Sequence, residues 1–154
     1  MIVSIEPARQ PDVERLLDGS EAYALATYPA DSCYLLDVSE LEAPGVTVFV
    51  ARVDGAALGM AALVDRGDGS AELKRLFVDD AARGQGLAGG LLTAIEQHAR
   101  DAAVGVIQLE TGPKSLPAIA LYEKHGYLRI PNFGQYVGDP HSYCMQKQLP
   151  PPVE

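Results

Sequence analysis

Between Val78 and Leu92 the chain reads Val-Asp-Asp-Ala-Ala-Arg-Gly-Gln-Gly-Leu-Ala-Gly-Gly-Leu-Leu, and no other stretch limits the fold so tightly. A strand exit, a turn broken by glycines and a helix start are compressed into fifteen positions. Gly84 and Gly86 let the backbone bend without a Cβ penalty and come close to a ligand. The first-turn amides of the helix that follows lack intrahelical acceptors, so the junction suits an anion such as a phosphate.

The flanking segments set the fold class. Ile2 to Ile5 is a short β-branched run, and Pro7 to Pro11 marks the turn into a helix carrying Val13, Leu16 and Leu17. Glu21 to Tyr28 reads as a second helix, followed by a loop containing Pro29, Asp31 and Pro44. This is the least patterned stretch of the chain and the expected seat of acceptor specificity. Val46 to Arg52 alternates β-branched and aromatic residues, Asp54-Gly55 is a hairpin turn, and Ala57 to Val64 returns. Arg66-Gly67-Asp68-Gly69 then turns the chain into Ala71 to Val78.

From there hairpins give way to crossovers: helix Gly86 to Ala99, strand Val106 to Glu110, helix Leu116 to Lys124. Leu87, Leu91, Ile95 and Ala99 recur every four residues and give the first of these helices a buried face. Such a connection calls for parallel pairing of its flanking strands. Tyr143 to Gln148 is a last strand, ended by Pro150-Pro151-Pro152. The class is α+β, a mixed sheet with helices on both faces. At 154 residues it is expected to be a single domain with one core.

Composition excludes several functions. With 47% hydrophobic and 21% charged residues the chain is globular, and no apolar run approaches the length of a membrane span. The start, Met-Ile-Val-Ser-Ile-Glu-Pro, lacks the pattern of an export signal, so the expected compartment is the cytoplasm. A formal charge of -9 opposes attraction to nucleic acid or anionic membrane. Cys33 and Cys144 lie 111 positions apart with no Cys/His cluster, so neither zinc nor a disulfide is expected and both are read as reduced.

A second motif narrows the ligand. Ala118 to Tyr127 read Ala-Ile-Ala-Leu-Tyr-Glu-Lys-His-Gly-Tyr, while Arg83, Gly86 and Ala88 spell Arg/Gln-x-x-Gly-x-Gly/Ala. In this order, some thirty residues apart with a strand between, the two resemble the GNAT acetyltransferases over roughly Glu72 to Tyr127. The resemblance implies a mostly antiparallel central sheet with a βαβ core that binds acyl-coenzyme A (acyl-CoA), and acetyl-CoA as cosubstrate. It implies that the backbone of Leu76, Phe77 and Val78 pairs with the amide-bearing pantetheine arm. The pyrophosphate would then sit on Arg83, Gly84, Gln85, Gly86, Leu87 and Ala88. Because the chain is acidic, local cations drawn from Arg83, Lys74, Arg75, Lys114, Lys124 and Arg129 would add to the field of those amides.

Acetyl transfer to an amine needs a fixed thioester, a deprotonated amine and a protonated leaving thiolate. Tyr122 occupies the tyrosine position of the family's Leu-Tyr-x-x-x-Gly-Phe/Tyr segment, and a phenol can protonate a thiolate. Without the motif it would read as a core aromatic. Glu72, eleven residues before Arg83, is the candidate base, as a strand glutamate is in some relatives. A base is needed because an ammonium of pKa about 10.4 is neutral in fewer than about 1 in 10³ molecules at pH 7, a handicap of roughly 4 kcal/mol. Glu110 is a second carboxylate near the same sheet edge, and water is a third option. Ser115 stands where many relatives carry an Asn that contacts the coenzyme; here it is expected to cap the helix, with Pro117 in the first turn. His98, His125 and His141 have plainer readings, and Tyr136 and Tyr143 flank a turn from which one could line the acceptor cleft.

The expected activity is transfer of acetyl from acetyl-CoA to a primary amine by direct attack, since neither cysteine is close to the motifs in sequence. An amino acid, polyamine, antibiotic-like amine or protein terminus would all suit, with small amines favoured by the charge; the acyl group could also be longer than acetyl. A homodimer through the last strands stays open, and a noncatalytic acyl-CoA sensor is the alternative. Gly84-x-Gly86-x-x-Gly89 also spells the dinucleotide fingerprint, but five residues separate Val78 from Gly84 and hairpins precede them, contrary to that motif's context.

Overall fold

The computed structural model describes residues 1–151, so Pro152 of the terminal proline run lies outside the described residues. Its elements are β1 (Ile2–Ile5), α1 (Pro11–Thr27), α2 (Val38–Leu41), β2 (Val46–Val53), β3 (Ala56–Asp65) and β4 (Ser70–Val78). These are followed by α3 (Leu87–Asp101), β5 (Val106–Thr111), α4 (Leu116–Lys124), β6 (Leu128–Ile130) and β7 (Tyr143–Gln148). The strands make one seven-stranded sheet in the order β1-β2-β3-β4-β5-β7-β6. Every neighbouring pair is antiparallel except β4 and β5, the two strands joined by α3.

Period-two alternation sorts the strands onto two cores. Val48, Val50, Met60 and Ala62 face Val13, Leu16 and Leu17 of α1 and Leu41 of α2. Phe49, Ala51, Ala61, Leu63, Ala71 and Leu73 face Leu87, Leu91, Leu92, Ile95 and Ala99 of α3, with Tyr122 and Tyr127 beside them. The fourfold spacing in α3 therefore forms the stripe it predicts. Glu96 interrupts that stripe but is satisfied, accepting from the Tyr127 hydroxyl at 3.1 Å and from Lys147 at 2.7 Å.

Two expectations fail here. Glu21 to Tyr28 is not a second helix, because α1 runs unbroken from Pro11 to Thr27. A helical glycine costs only about 1 kcal/mol, and Gly19 is where the helix crosses Phe77, whose ring would lie 3.1 Å from an added Cβ. The loop after Pro29 also holds a short helix, α2, nucleated by Asp37 and Glu40 in a capping box.

The placement of the site follows from how β4 leaves its neighbour. Pairing with β5 runs only from Ser70↔Val106 to Leu73↔Leu109. Beyond it, β4 stays on β3 while Glu110 and Thr111 of β5 stay on β7. The register on β3 shifts between Met60 and Ala62, opposite Arg75, which is held at φ 61°. This β-bulge bends β4 away from β5 and opens a wedge in the middle of the sheet.

Candidate functional site

From Lys74 to Val78 the edge of β4 that would face β5 has no strand partner. Backbone donors and acceptors inside a protein demand partners, so this edge suits a ligand bearing amides of its own. Leu76, Phe77 and Val78 lie on it, half-buried. At its far end Asp80–Ala82 form a 3₁₀ turn, and Gly84 and Gly86 both take φ 79° before α3 begins. The first helical bond there is Gly90 N–H to the Gly86 carbonyl at 3.0 Å, leaving the amides of Leu87, Ala88 and Gly89 without intrahelical acceptors. An added Cβ at Gly84 or Gly86 meets nothing within 4 Å, so the approach to these amides is open. Gln85 and Arg83 lie exposed on the same turn, and Arg83 pairs with Asp80 at 2.9 Å. That pair is solvent-exposed on both sides, so it holds Arg83 only weakly. Geometry and chemistry thus fit the pantetheine and diphosphate of an acyl carrier.

The near end of the edge opens into a cavity of about 200 Å³ between β4, β5, α1, α4 and the loops after Tyr28 and Phe133. Tyr122 lines it, its ring edge-on to Tyr127 at 5.7 Å. Burial, reinforced by the Glu110 charge, raises its pKa, so the phenol keeps its proton. Glu110 lines the same cavity, accepting from the Ser142 hydroxyl at 2.9 Å. Burial pushes its carboxyl up to about 7; Asp139 and Glu72 add to the rise, while the Ser142 bond and the Lys74 charge oppose it.

Glu72 is differently placed. It accepts from the Tyr136 hydroxyl at 2.5 Å and from Arg66 at 3.2 Å, with the Lys74 ammonium at 3.6 Å. Two cations and a phenol thus surround this carboxylate and tie it into the cavity wall. Lys74 in turn donates to the Tyr136 hydroxyl at 2.9 Å, so it serves this cluster and the cavity wall, away from the phosphate end. Arg129, grouped with it among the candidate phosphate cations, instead stacks on Tyr143 at 4.3 Å. Of the two tyrosines flanking the turn, Tyr136 lines the cavity and Tyr143 packs against the core.

Ser115 stands at the N-cap position just before α4 as expected, and its carbonyl accepts from Ile119 N–H at 3.0 Å. Its hydroxyl makes no cap. It bonds Tyr28 at 2.8 Å and Tyr23 at 3.3 Å, because the Tyr28 hydroxyl is drawn onto the strand-to-helix turn and also accepts from Lys114 N–H at 3.1 Å. The turn tolerates this only because residue 112 is glycine, where a Cβ would collide with that hydroxyl.

The loop without pattern supplies much of the remaining wall. Tyr34 and Ser32 donate to Asp139 at 2.6 and 3.1 Å, tying this loop to the turn before β7. Cys33, remote from the motifs in sequence, also lines the cavity, with its thiol pushed up by burial and by Glu110. No local spacing announces these residues, since the chain segments that unite them are about a hundred positions apart. His141 reaches the cavity wall as well, whereas His125 sits beside Gly89 on α3 and His98 against Phe49. Among the described residues no cluster of His, Cys, Asp or Glu could hold a metal, and no helix is long and apolar enough to cross a membrane.

A split sheet with a free strand edge, leading from open helix-start amides to a phenol-lined cavity, defines a transferase that uses an acyl-CoA donor. Comparison with known proteins agrees. The model of the acetyltransferase (GNAT) family matches residues 12–127. The chain is 38% identical over 148 residues to an IAA acetyltransferase of Azospirillum brasilense, covering 96% of this chain and 97% of that protein. Among solved structures, a proposed acyl-CoA N-acyltransferase of Klebsiella pneumoniae superposes with a TM-score of 0.81 at 30% identity, covering 96% and 97% of the two chains. An aminoglycoside 6'-N-acetyltransferase complexed with coenzyme A shares the fold at TM-score 0.73 and 20% identity, each chain covered in full. The protein belongs to the GNAT family, and as such is an acyltransferase with acetyl-CoA as cosubstrate.

Proposed function

We propose that this protein transfers acetyl from acetyl-CoA to the primary amine of a small molecule by direct attack, with Tyr122 as proton donor and Glu110 as proton acceptor. The observation that carries the reading is the continuity of the unpaired β4 edge with the open α3 amides at one end and the cavity holding both groups at the other. Leu76, Phe77 and Val78 hold the pantetheine arm; Arg83, Gly84, Gln85, Gly86, Leu87 and Ala88 hold the diphosphate. Ser115, bonded to Tyr28, supports the wall between them and α4.

Acetyl-CoA supplies an acyl carbon open to attack and a sulfur leaving group. Glu110 takes a proton from the acceptor ammonium, which frees the nitrogen lone pair for the new N–C bond. As the C–S bond breaks, Tyr122 gives its proton to the departing sulfur; the second proton shed by the acylated nitrogen restores the phenol, and Glu110 passes its own to solvent. A phenol made less acidic by burial suits this task because the same low-polarity surroundings raise the proton affinity of the thiolate. Glu72 fits a supporting role, fixing Tyr136 and Lys74. Cys33 stays a thiol at neutral pH, which supports a route without an acyl-enzyme.

Replacing Tyr122 with Phe and following coenzyme A release across a panel of amines tests this. Turnover is expected to fall by about 10² to 10³, with acetyl-CoA affinity unchanged. A wild-type protein that binds acetyl-CoA and acetylates no amine would instead be a sensor.

A further inference from the structure

The cavity wall formed by β4 presents two adjacent cations in unlike states. The Lys74 side chain is 9% exposed and fully engaged, donating to Tyr136 with Glu72 alongside. Arg75 has no carboxylate within 4 Å among the described residues. One of its terminal nitrogens donates to the Leu17 carbonyl of α1 at 3.1 Å, and its Nε is buried with no partner. Burial lowers its pKa, and Glu21 on the exposed side of α1 is the one charge that opposes the fall. A buried guanidinium nitrogen with no acceptor and no carboxylate within reach is costly. The bulge that puts it there costs more, because φ 61° is unfavourable for a residue with a Cβ.

Two anions could answer this cation, and their positions differ. The diphosphate cradle begins at Arg83, past Val78 and a 3₁₀ turn; along β4 alone, Val78 is about 10 Å beyond Arg75. Between them α1 crosses Phe77 at Gly19. The coenzyme's charged end therefore lies on the far side of α1's crossing from Arg75. The cavity that Arg75 lines is where the acceptor must sit, with Glu110 on the opposing strand. Its volume of about 200 Å³ is shared with the Leu76 and Phe77 edge, which leaves room for a small acceptor.

We infer that Arg75 anchors a carboxylate of the acceptor, so that the substrate class is small zwitterionic amines such as free amino acids, with the amine toward Glu110. This rests on the N-acetyltransferase reading above and specifies its acceptor. The cavity is then bipolar by design: an acidic end for the ammonium and an uncompensated basic end for the carboxylate. A planar guanidinium suits that partner better than an ammonium, because it meets both oxygens.

The test compares amino acids with their decarboxylated counterparts, such as leucine with isopentylamine and phenylalanine with phenethylamine, by coenzyme A release. Binding of N-acetylleucine against N-isopentylacetamide is followed by thermal shift. In the wild type, kcat/KM is expected to favour the acid about 10- to 100-fold. In Arg75→Gln that preference collapses, and in Arg75→Lys part of it survives, while the acetyl-CoA shift is unchanged in both. Equal or better turnover of the decarboxylated amines, preference retained in Arg75→Gln, or weakened acetyl-CoA binding would each overturn the anchor. If Arg75→Gln fails to fold, the wild-type ratio still decides. If neither series is acetylated, the amine-acetyltransferase reading fails by itself. Selective binding of N-acetylleucine would then still uphold the carboxylate site, and indifference between the two acetamides would remove it.

Discussion

Replacing Glu110 with Gln removes a carboxyl that the fold holds against its ordinary behaviour. Burial raises this group from 4.5 to about 7, so between those values the folded chain keeps a proton that the unfolded chain releases. Stability therefore falls as pH rises from 4.5 to about 7, and above that the ionised carboxylate is a constant burden on the fold. At about 1.4 kcal/mol per tenfold, the burden amounts to roughly 3 kcal/mol. Glutamine keeps an oxygen for the Ser142 hydroxyl and never ionises. The variant should match the wild type near pH 4.5 and exceed it at pH 8 by that amount, or by roughly 6 to 12 °C in Tm for a chain of this length. Thermal melts of both proteins across this range supply the difference, in which Lys74, Asp139 and Glu72 cancel. The same substitution should cost about 10² to 10⁴ in kcat/KM and abolish the limb near pH 7, leaving the limb of the amine itself. Stability curves that stay parallel from pH 5 to 8 would refute the buried neutral carboxyl, and with it the base.

Other perturbations test the donor side and the scaffold. Gly86→Ala should lower stability by about 1–2 kcal/mol through its φ of 79° alone, since the added methyl meets nothing, and should weaken acetyl-CoA binding in a titration. Gly86→Asn, which tolerates that conformation, should recover much of the stability. Gly112→Ala should cost about 1–3 kcal/mol by displacing the Tyr28 hydroxyl, and adding Tyr28→Ala should erase most of its separate effect in a double-mutant cycle of thermal melts. Acetyl-CoA at a hundredfold excess over its Kd should add about 2.7 kcal/mol, read as a melting shift of very roughly 5 to 11 °C, while NAD gives none.

How legible these features were depends on how far along the chain their causes reach. The glycine-broken turn, the fourfold stripe of α3 and the period-two strands are written in residues a few positions apart, so they are plain in the sequence. The order of hairpins followed by a crossover then implies the mixed sheet and its one parallel pair. Element boundaries shift by a residue or two, and β6, only three residues long, has too little pattern to show. The division at Glu21 fails because Gly19, a weak helix former by itself, packs against Phe77 of a distant strand within one continuous helix.

The site divides along the same line. The proposals for Tyr122 and for the anion cradle rest on motifs of fixed spacing, which are legible in the chain alone. The choice between Glu72 and Glu110 cannot be made that way, since both are strand glutamates in similar company. What separates them is desolvation and the pairing of charges, which are sums over side chains from β4, β5, α1 and two loops. Arg66, Lys74 and Tyr136 converge on Glu72, Glu110 is buried beside Ser142, and Arg75 sits at a bulge with no carboxylate within 4 Å among the described residues. Local sequence thus determined the turn that can bind a phosphate and the order of elements around it. Tertiary packing alone decided which carboxylate is surrounded by cations, which is buried beside a hydroxyl, and which cation is left wanting a partner, because solvation and Coulomb energy depend on neighbours in space.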